Sequence, residues 1–510
     1  MTDAVLESEP ALTPETTRLA ARNATALAAS TVVAKGLLFG WQLILARWLG
    51  SDDYGVYGTI GALMSVGAAI PEFGMGLLVL RDVARTPGQA GRYLTITLTL
   101  QPLLAVVGYG VLFITALLFG YDADLRALLA LAGASLLIDS LGNMCYNQLL
   151  AIERMVISAA LSAAHIFALV LLAGIALALD GGLWGLYTAT IAAGMLRAGA
   201  FWWVLLRNGI HPQWPFDRAL ARTLLIDGAP IALTSFLALA YQHADKLLTT
   251  AFLGTDDTGQ LTAGFVIVFG VIELLSTTVL VAVFPLMSRT YASGNRAMFN
   301  FMLEKLAFFN LTASLPIGVY TSLLAVPLSA LVFGEGYTRT ADILQILIWY
   351  TVVTMVGNVF ANALLIENRQ RRILAIRVGG LAINVTLLLA LLPWVGVQGA
   401  AVASLIAEIV VLGLLLRSFT LPADWWGRVA SHIWRLALAA GGMAGVVLAL
   451  RVVHPMLAAL AGAPVYLGLV LLSGAVAHDD WDLIYRLLTA MPGGSMVQRV
   501  WKRDLGEVAA

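Results

Sequence analysis

The chain has 510 residues, of which 60% are hydrophobic and 12% charged, with 30 Lys and Arg balancing 30 Asp and Glu and a mean hydropathy of +0.87. Soluble domains carry roughly 25% charged residues, so this composition excludes a soluble globular enzyme and places most of the chain in lipid. The lone Cys145 cannot form an internal disulfide and reads as a packing residue within an apolar segment.

Residues 1–23 are polar and partly acidic, with no apolar core of a cleavable signal, so the first spanning helix is expected to act as the address. A hydrocarbon core of ~30 Å takes about 20 helical residues to cross. Segments that meet this fall near 24–48, 57–80, 93–119, 125–148, 157–179 and 183–206. A linker over 208–222, with Pro212 and Pro215, leads to six more near 224–252, 261–287, 303–332, 341–365, 373–393 and 397–416. Two further segments, near 430–450 and 456–477, precede a polar amphipathic tail over 478–510. Spanning strands would be alternating and about ten residues long, so these runs are helices. The expected fold class is an all-α polytopic membrane protein with about fourteen transmembrane helices.

The chain is internally duplicated. Leu49-Gly50-Ser51-Asp52-Asp53-Tyr54-Gly55 returns as Leu253-Gly254-Thr255-Asp256-Asp257-Thr258-Gly259, and the same offset maps Arg85-Thr86 onto Arg289-Thr290. Further on, the ladder Asp139, Asn143, Asn147 maps onto Thr354, Asn358, Asn362, and Gly182-Leu183-Trp184-Gly185 onto Gly396-Val397-Gln398-Gly399. Anchors repeated in one order define two lobes of six helices, 24–207 and 223–417, followed by two extra helices within 428–477. Six is even, so both lobes enter the membrane in the same direction and form a parallel repeat about the membrane normal. The two Asp-Asp loops are too short and too alike in charge for a calcium loop, and their aspartates are expected to cap the helix that follows.

Lys and Arg are retained on the cytoplasmic side of short loops. With the N-terminus inside, only Arg47, Arg126, Arg339 and Arg451 fall in outer loops, and Lys35, Arg197 and Lys246 fall within spans; the others are cytoplasmic. Both termini are therefore expected to face the cytoplasm.

Ionisable side chains in spans cost roughly 2.5–3.5 kcal/mol each at mid-bilayer and tend to face a cavity or a partner. They are Lys35, Glu72, Asp139, Arg197, Asp245, Lys246, Glu273 and Glu408, with His165 and His243 as neutral-capable additions. The ordinary explanation for each is ion pairing between helices. Lys35 has no carboxylate one turn away. Arg197 and Glu408 occupy nearly equivalent places in the two lobes with opposite charge, so either they meet or Arg197 is an isolated cation for an anionic ligand. Asp245 and Lys246, adjacent in sequence, cannot face the same way, so at least one points inward. Pro71, Gly74 and Gly76 around Glu72 can bend the second helix. Glu72 or Glu273 could accept a coupling proton or sodium ion. The Asp139 ladder has a spacing of four and shares one helix face, open either to interhelical hydrogen bonding or to a hydrated path.

No Walker glycine loop, HExxH helix, cysteine cluster or nucleophile elbow is present in the sequence, so neither ATP hydrolysis nor another enzymatic activity is expected, and no cofactor is implied. The run Leu45-Ala46-Arg47-Trp48-Leu49-Gly50-Ser51-Asp52-Asp53-Tyr54-Gly55-Val56-Tyr57 resembles the first outer loop of bacterial polysaccharide-lipid flippases, the Wzx-like branch of the MOP exporter superfamily. Glu72-Phe73-Gly74-Met75-Gly76 through Arg85, Asp245-Lys246 with Phe252-Leu253-Gly254, Phe284-Pro285-Leu286-Met287-Ser288-Arg289 and Phe333-Gly334-Glu335-Gly336-Tyr337 extend the resemblance across the twelve duplicated helices.

The resemblance implies a MATE-like pair of six-helix lobes opening alternately to each side of the cytoplasmic membrane. It implies an oligosaccharide on undecaprenyl diphosphate as substrate, with Lys35, Arg197 and Lys246 as its ligands. Glu72, Asp139, Asp245, Glu273 and Glu408 are the candidates for coupling to H+ or Na+. Membrane lipids and a polysaccharide polymerase are the further partners, and no nucleic acid is expected. The acidic residues in the spans nearly balance the basic ones. That keeps open a cation-coupled multidrug antiporter of the MATE type, and beside it a non-transporting membrane component of polysaccharide assembly.

Overall fold

With no water to satisfy the backbone, apolar runs in lipid close their hydrogen bonds within helices. A computed structural model describes residues 14–420, 424–451 and 454–474, and no strand occurs among them. The helices in chain order are α1 (Pro14–Glu72), α2 (Met75–Arg85), α3 (Ala90–Leu118), α4 (Ala123–Gly133), α5 (Ser135–Ala151), α6 (Met155–Ala178) and α7 (Gly182–Arg207). Then come α8 (Arg218–Leu253), α9 (Thr255–Val271), a π-helical turn (Ile272–Thr277), α10 (Thr278–Ala292), α11 (Arg296–Leu323) and α12 (Ala325–Phe333). The last are α13 (Thr338–Ile366), α14 (Gln370–Val395), α15 (Val397–Leu416), α16 (Trp425–Leu450) and α17 (Pro455–Leu472). Among the described residues, 11 helices are long and apolar enough to cross a membrane, or 12 when the bent pair Ala34–Glu72 and Met75–Arg85 is one span. The N-terminal residues 1–13 and the tail from 475 onward lie outside the described residues. Large apolar side chains such as Trp394, 88% exposed, stand on the surface, as a lipid solvent allows.

Between the expected spans, over 49–56 and 253–260, the chain breaks at one residue and forms no extended loop. Gly50 (φ 76°, ψ 173°) divides α1 into arms 14–49 and 51–72, and Gly254 (φ 91°, ψ −175°) separates α8 from α9. Gly334 and Gly396 make the same break before α13 and α15. This region of backbone space is open almost only to glycine. Nothing stands within 4 Å of a Cβ built on Gly50 or Gly254, so the cost of Gly50→Ala or Gly254→Ala is conformational, about 1–3 kcal/mol each. Thermal unfolding of the purified variants checks this, and parental melting temperatures for both would refute it.

Two compact units emerge. The first holds the described residues up to Trp41, with Gly67–Ala116 and Arg126–Leu233; the second holds Gln42–Val66, Leu117–Leu125 and the described residues from Thr234 onward. In the first unit α5 packs on α2 and α7, around a core of Met75, Leu94, Cys145, Leu149 and Phe201. The bend expected at Pro71–Gly76 is present: Phe73 and Gly74 take positive φ and the helix turns by 41°. The break fits against α8, where a Cβ at Gly74 would lie 2.8 Å from the Gly228 carbonyl oxygen. The linker after α7 folds back on α3, with the Gln213 amide donating to the Gly91 carbonyl at 3.2 Å. Asp217 caps α8 through the Leu220 amide at 3.0 Å and pairs with Arg92. These two contacts, the amide first, hold its carboxyl below the usual carboxylate range. Its stabilising effect is thus present above that range and lost as the pH falls through the lowered value.

In the second unit α13 is the central helix, packed by α9, α11 and α15, and α15 is flanked by α14. The extra helices α16 and α17 pack on α11, through a core of Leu436, Met443, Val447 and Tyr466. Arg428 of α16 clasps Glu304 of α11 with two bonds of 2.7 Å.

Segment 42–66 belongs to the second unit because the duplicated motif packs against its own repeat. A Cβ on Gly55 would strike the carbonyl of Thr255, and one on Gly259 the carbonyl of Ser51, so the two contacts are related by the repeat itself. The Ser51 hydroxyl donates to Asp256 and the Thr255 hydroxyl to Asp52, again reciprocally. Asp52 and Asp256 therefore cross-link the two copies, and α9 begins after Gly254 with no side-chain cap. Small residues let helix backbones approach this closely, as at other membrane helix crossings. Behind them runs a buried hydroxyl chain, Thr59 to Thr250 at 2.6 Å and Thr250 to Thr258 at 2.8 Å. Arg339 grips both Asp256 and Asp257.

Candidate functional site

Each unit carries one charged side chain from its last repeat helix into a notch on the ladder helix. In the first unit, Arg197 of α7 lies over α5 beside Gly142, whose built Cβ would stand 3.6 Å from the guanidinium carbon. It donates to Asn143 and lies 3.5 Å from Asp139, with the Phe201 ring 5.8 Å away. In the second unit, Glu408 of α15 lies over α13 beside Gly357, the repeat of Gly142, at 3.8 Å. Its carboxylate accepts from the Tyr241 hydroxyl at 2.6 Å and lies 3.9 Å from Arg377. Glycine at the ladder position provides the space in both lobes, while the charge that fills it has changed sign. Arg197 and Glu408 are each satisfied within their own unit.

The ladder is thus an interhelical contact. Asp139 and Asn143 engage α7 through Arg197, and Asn147 lies against α2 beside Gly76, near Glu72. Glu72 itself is exposed at the bend. In the second copy Asn362 turns back on its own helix, donating to the Asn358 carbonyl at 2.8 Å. His165 contacts the Ala193 carbonyl at 3.2 Å and buttresses α7 from α6.

Asp245 and Lys246 diverge as their adjacency requires. Asp245, 5% exposed, receives the Ser404 hydroxyl of α15 at 3.3 Å, whereas Lys246 lies 5.9 Å over the Phe265 ring of α9. Lys35 stands on an exposed side of the first arm of α1. Glu273 is half-buried in the π-helical turn, a local widening that often marks functional positions.

Sequence reasoning missed three members of this set. The loop-charge rule groups Arg377 with the cytoplasmic arginines, yet it lies within α14 as the partner of Glu408. Tyr241 and Ser404 carry no charge and give no signal of that kind. For Tyr241, its position one turn before Asp245 on α8 is the available clue. Among the described residues no group of His, Cys, Asp and Glu could hold a metal ion.

A family model described as polysaccharide biosynthesis protein matches residues 44–342. No curated protein matches the sequence. Among solved structures, the lipid II flippase MurJ in an inward closed conformation is similar with a TM-score of 0.73 and 14% identity, covering 90% of this chain and 99% of that one. An inward-facing multidrug resistance MATE family transporter of the MOP superfamily follows with 0.60 and 15% identity, over 76% of this chain and 94% of that one. A MOP superfamily transporter from Pyrococcus furiosus, with reversed polarity of its binding pocket, gives 0.56 and 14% over 77% and 94%. At such identities the likeness is one of fold. The family match spans more than half of the sequence, and so the chain belongs to the polysaccharide biosynthesis protein family, as a multi-pass membrane protein with the fold of the MOP flippases and transporters.

Proposed function

We propose that the chain moves an oligosaccharide linked to undecaprenyl diphosphate from the inner to the outer leaflet of the cytoplasmic membrane, by alternating access of lobes 24–207 and 223–417, with both termini in the cytoplasm. The observation that carries this reading is the polysaccharide biosynthesis match over 44–342. The structurally similar MurJ is a lipid II flippase, and that likeness supports a lipid-linked substrate. A diphosphate cannot cross hydrocarbon without countercharge, and Lys35, Arg197 and Lys246 supply it. Arg197 exchanges Asp139 and Asn143 for substrate phosphate, to which a guanidinium binds through two parallel bonds. Glu72, Asp139, Asp245, Glu273 and Glu408 are the groups for a coupling H+ or Na+. No covalent bond is made or broken, and the delivered sugar passes to a polymerase.

Lys35→Ala and Arg197→Ala should each abolish translocation while leaving folded protein, and Lys35→Arg should retain part of it. The assay is lectin access to an undecaprenyl diphosphate oligosaccharide in sealed vesicles, with and without purified protein. Substrate reaching the opposite leaflet only with protein supports the flippase. Absence of transfer with several sugar heads and folded protein would overturn it. One observation favours a second reading, cation-coupled antiport: Asp245 and Glu408 are buried carboxylates, 5% and 1% exposed. Dye efflux driven by a proton or sodium gradient would detect that activity.

A further inference from the structure

At the end of α15 lies a cavity of about 770 Å³ whose walls are mostly apolar, with Val410, Leu414, Phe419 and Trp426 along it and Arg417 and Thr420 as its polar members. The 20 residues of Val397–Leu416 span ~30 Å of helix, the thickness of a hydrocarbon core. Arg417 follows that span directly and so stands at headgroup depth. Arg417 is exposed and makes no side-chain hydrogen bond or ion pair among the described residues.

The surroundings are positively charged. At the α13–α14 turn, Arg369 donates to the Ser418 carbonyl and Arg372 to the Ser418 hydroxyl, both at 2.8 Å, which brings two guanidinium groups to the residue next to Arg417. Arg371 is exposed beside them. The opposing carboxylates are already engaged: Glu367 by Arg369, and Asp424 and Glu304 by Arg428. Trp426, 57% exposed, forms one wall, held edge-on by the buried Trp425 at 4.8 Å. Tryptophan with arginine is the pairing of a membrane–water interface.

We propose that this groove binds an anionic glycerophospholipid of the surrounding bilayer, its phosphate held by Arg417 with added charge from Arg371 and Arg372, and one acyl chain lying along Val410, Leu414 and Trp426. A guanidinium fork matches a phosphodiester, and a basic pocket between helices at headgroup level selects anionic lipids. The α13–α14 turn, the end of α15 and the start of α16 all line or flank the site, so a bound lipid fastens α16 to α15 within the second unit. This binding is independent of the transport reading.

The test is native mass spectrometry of the full-length protein in detergent, with dioleoyl phosphatidylglycerol and with phosphatidylcholine of the same chains. Phosphatidylglycerol should be retained more strongly than phosphatidylcholine. Arg417→Gln should weaken its binding about tenfold, the effect of one charge-assisted contact, and leave phosphatidylcholine unchanged. Gly413→Leu supplies a second variant. It alters no charge, and a Cβ there meets nothing within 4 Å, so it fills the groove without disturbing the helix and should also weaken the lipid. Equal retention of the two lipids, or parental affinity in both variants, overturns the proposal. So does displacement by inorganic phosphate at equal concentration, which would reduce the site to one for free anions. Replacement by undecaprenyl phosphate at equal concentration would assign the groove to the carrier lipid and likewise overturn it.

Discussion

Gly55→Ala and Gly259→Ala are expected to destabilise the protein by more than about 3 kcal/mol each, although each adds only one methyl group. The added Cβ lands on a backbone carbonyl, that of Thr255 or of Ser51, and no rotamer change relieves such a clash. The second arm of α1 and α9 must therefore move apart. That separation lengthens the bonds from Ser51 to Asp256 and from Thr255 to Asp52, together with the buried contact of Thr59 and Thr250 at 2.6 Å. Each bond is worth about 0.5–1.5 kcal/mol net, on top of an overpacking cost of about 1–3 kcal/mol. Gly61→Ala is the control. It lies on the same arm with nothing within 4 Å of its Cβ, and an alanine there should stabilise by roughly 0.5–1 kcal/mol. The double variant should cost less than the sum of the two, because one separation relieves both clashes. Melting temperature and monodispersity of the purified protein provide the readout. A Gly55→Ala protein that melts with its parent would show that the two copies are not in close contact.

The second large effect is expected at Arg377. Arg377→Ala should cost about 3 kcal/mol, since it leaves the Glu408 carboxylate, 1% exposed, with Tyr241 as its remaining partner. Removing one member of a buried ion pair costs roughly 3–5 kcal/mol, and the lower end applies here because Arg377 is partly exposed and 3.9 Å away. Adding Glu408→Gln to that variant should restore most of the loss, because an amide oxygen still accepts from the Tyr241 hydroxyl and no charge remains to be neutralised. A double-mutant cycle on thermal stability measures the coupling. Simple additivity of the two changes would mean that Arg377 and Glu408 do not act as a pair.

Arg377 and Arg339 show where sequence reasoning stops. Counting positive charge along the loops assigns both, but that rule reports which end of a helix a residue is near and nothing about its neighbours. Arg339 spans Asp256 and Asp257, and Arg377 reaches Glu408, because of how α13 and α14 are rotated in the packed unit. The bend at Phe73–Gly74 is legible in the chain because Pro71, Gly74 and Gly76 act locally on the backbone. The breaks at Ala134 and Leu324, which split two expected spans, stand next to Gly133 and three residues before Pro327, but a lone glycine or proline in an apolar run does not by itself mark a break, since membrane helices often carry one without ending.

Membrane solvent, helical class, duplication and the bend at Pro71–Gly76 are all readable from the chain alone, because each follows from the local composition or spacing of the residues involved. The placement of Asp139 and Asn143 on one helix face belongs with them. Packing in three dimensions, and nothing earlier, brings Arg197 to that face, Glu408 to the equivalent glycine in the other copy, and the two Gly-x-Asp-Asp motifs onto one another. Those outcomes depend on crossing angles and helix rotation, which arise from contacts summed over many residues far apart in the chain.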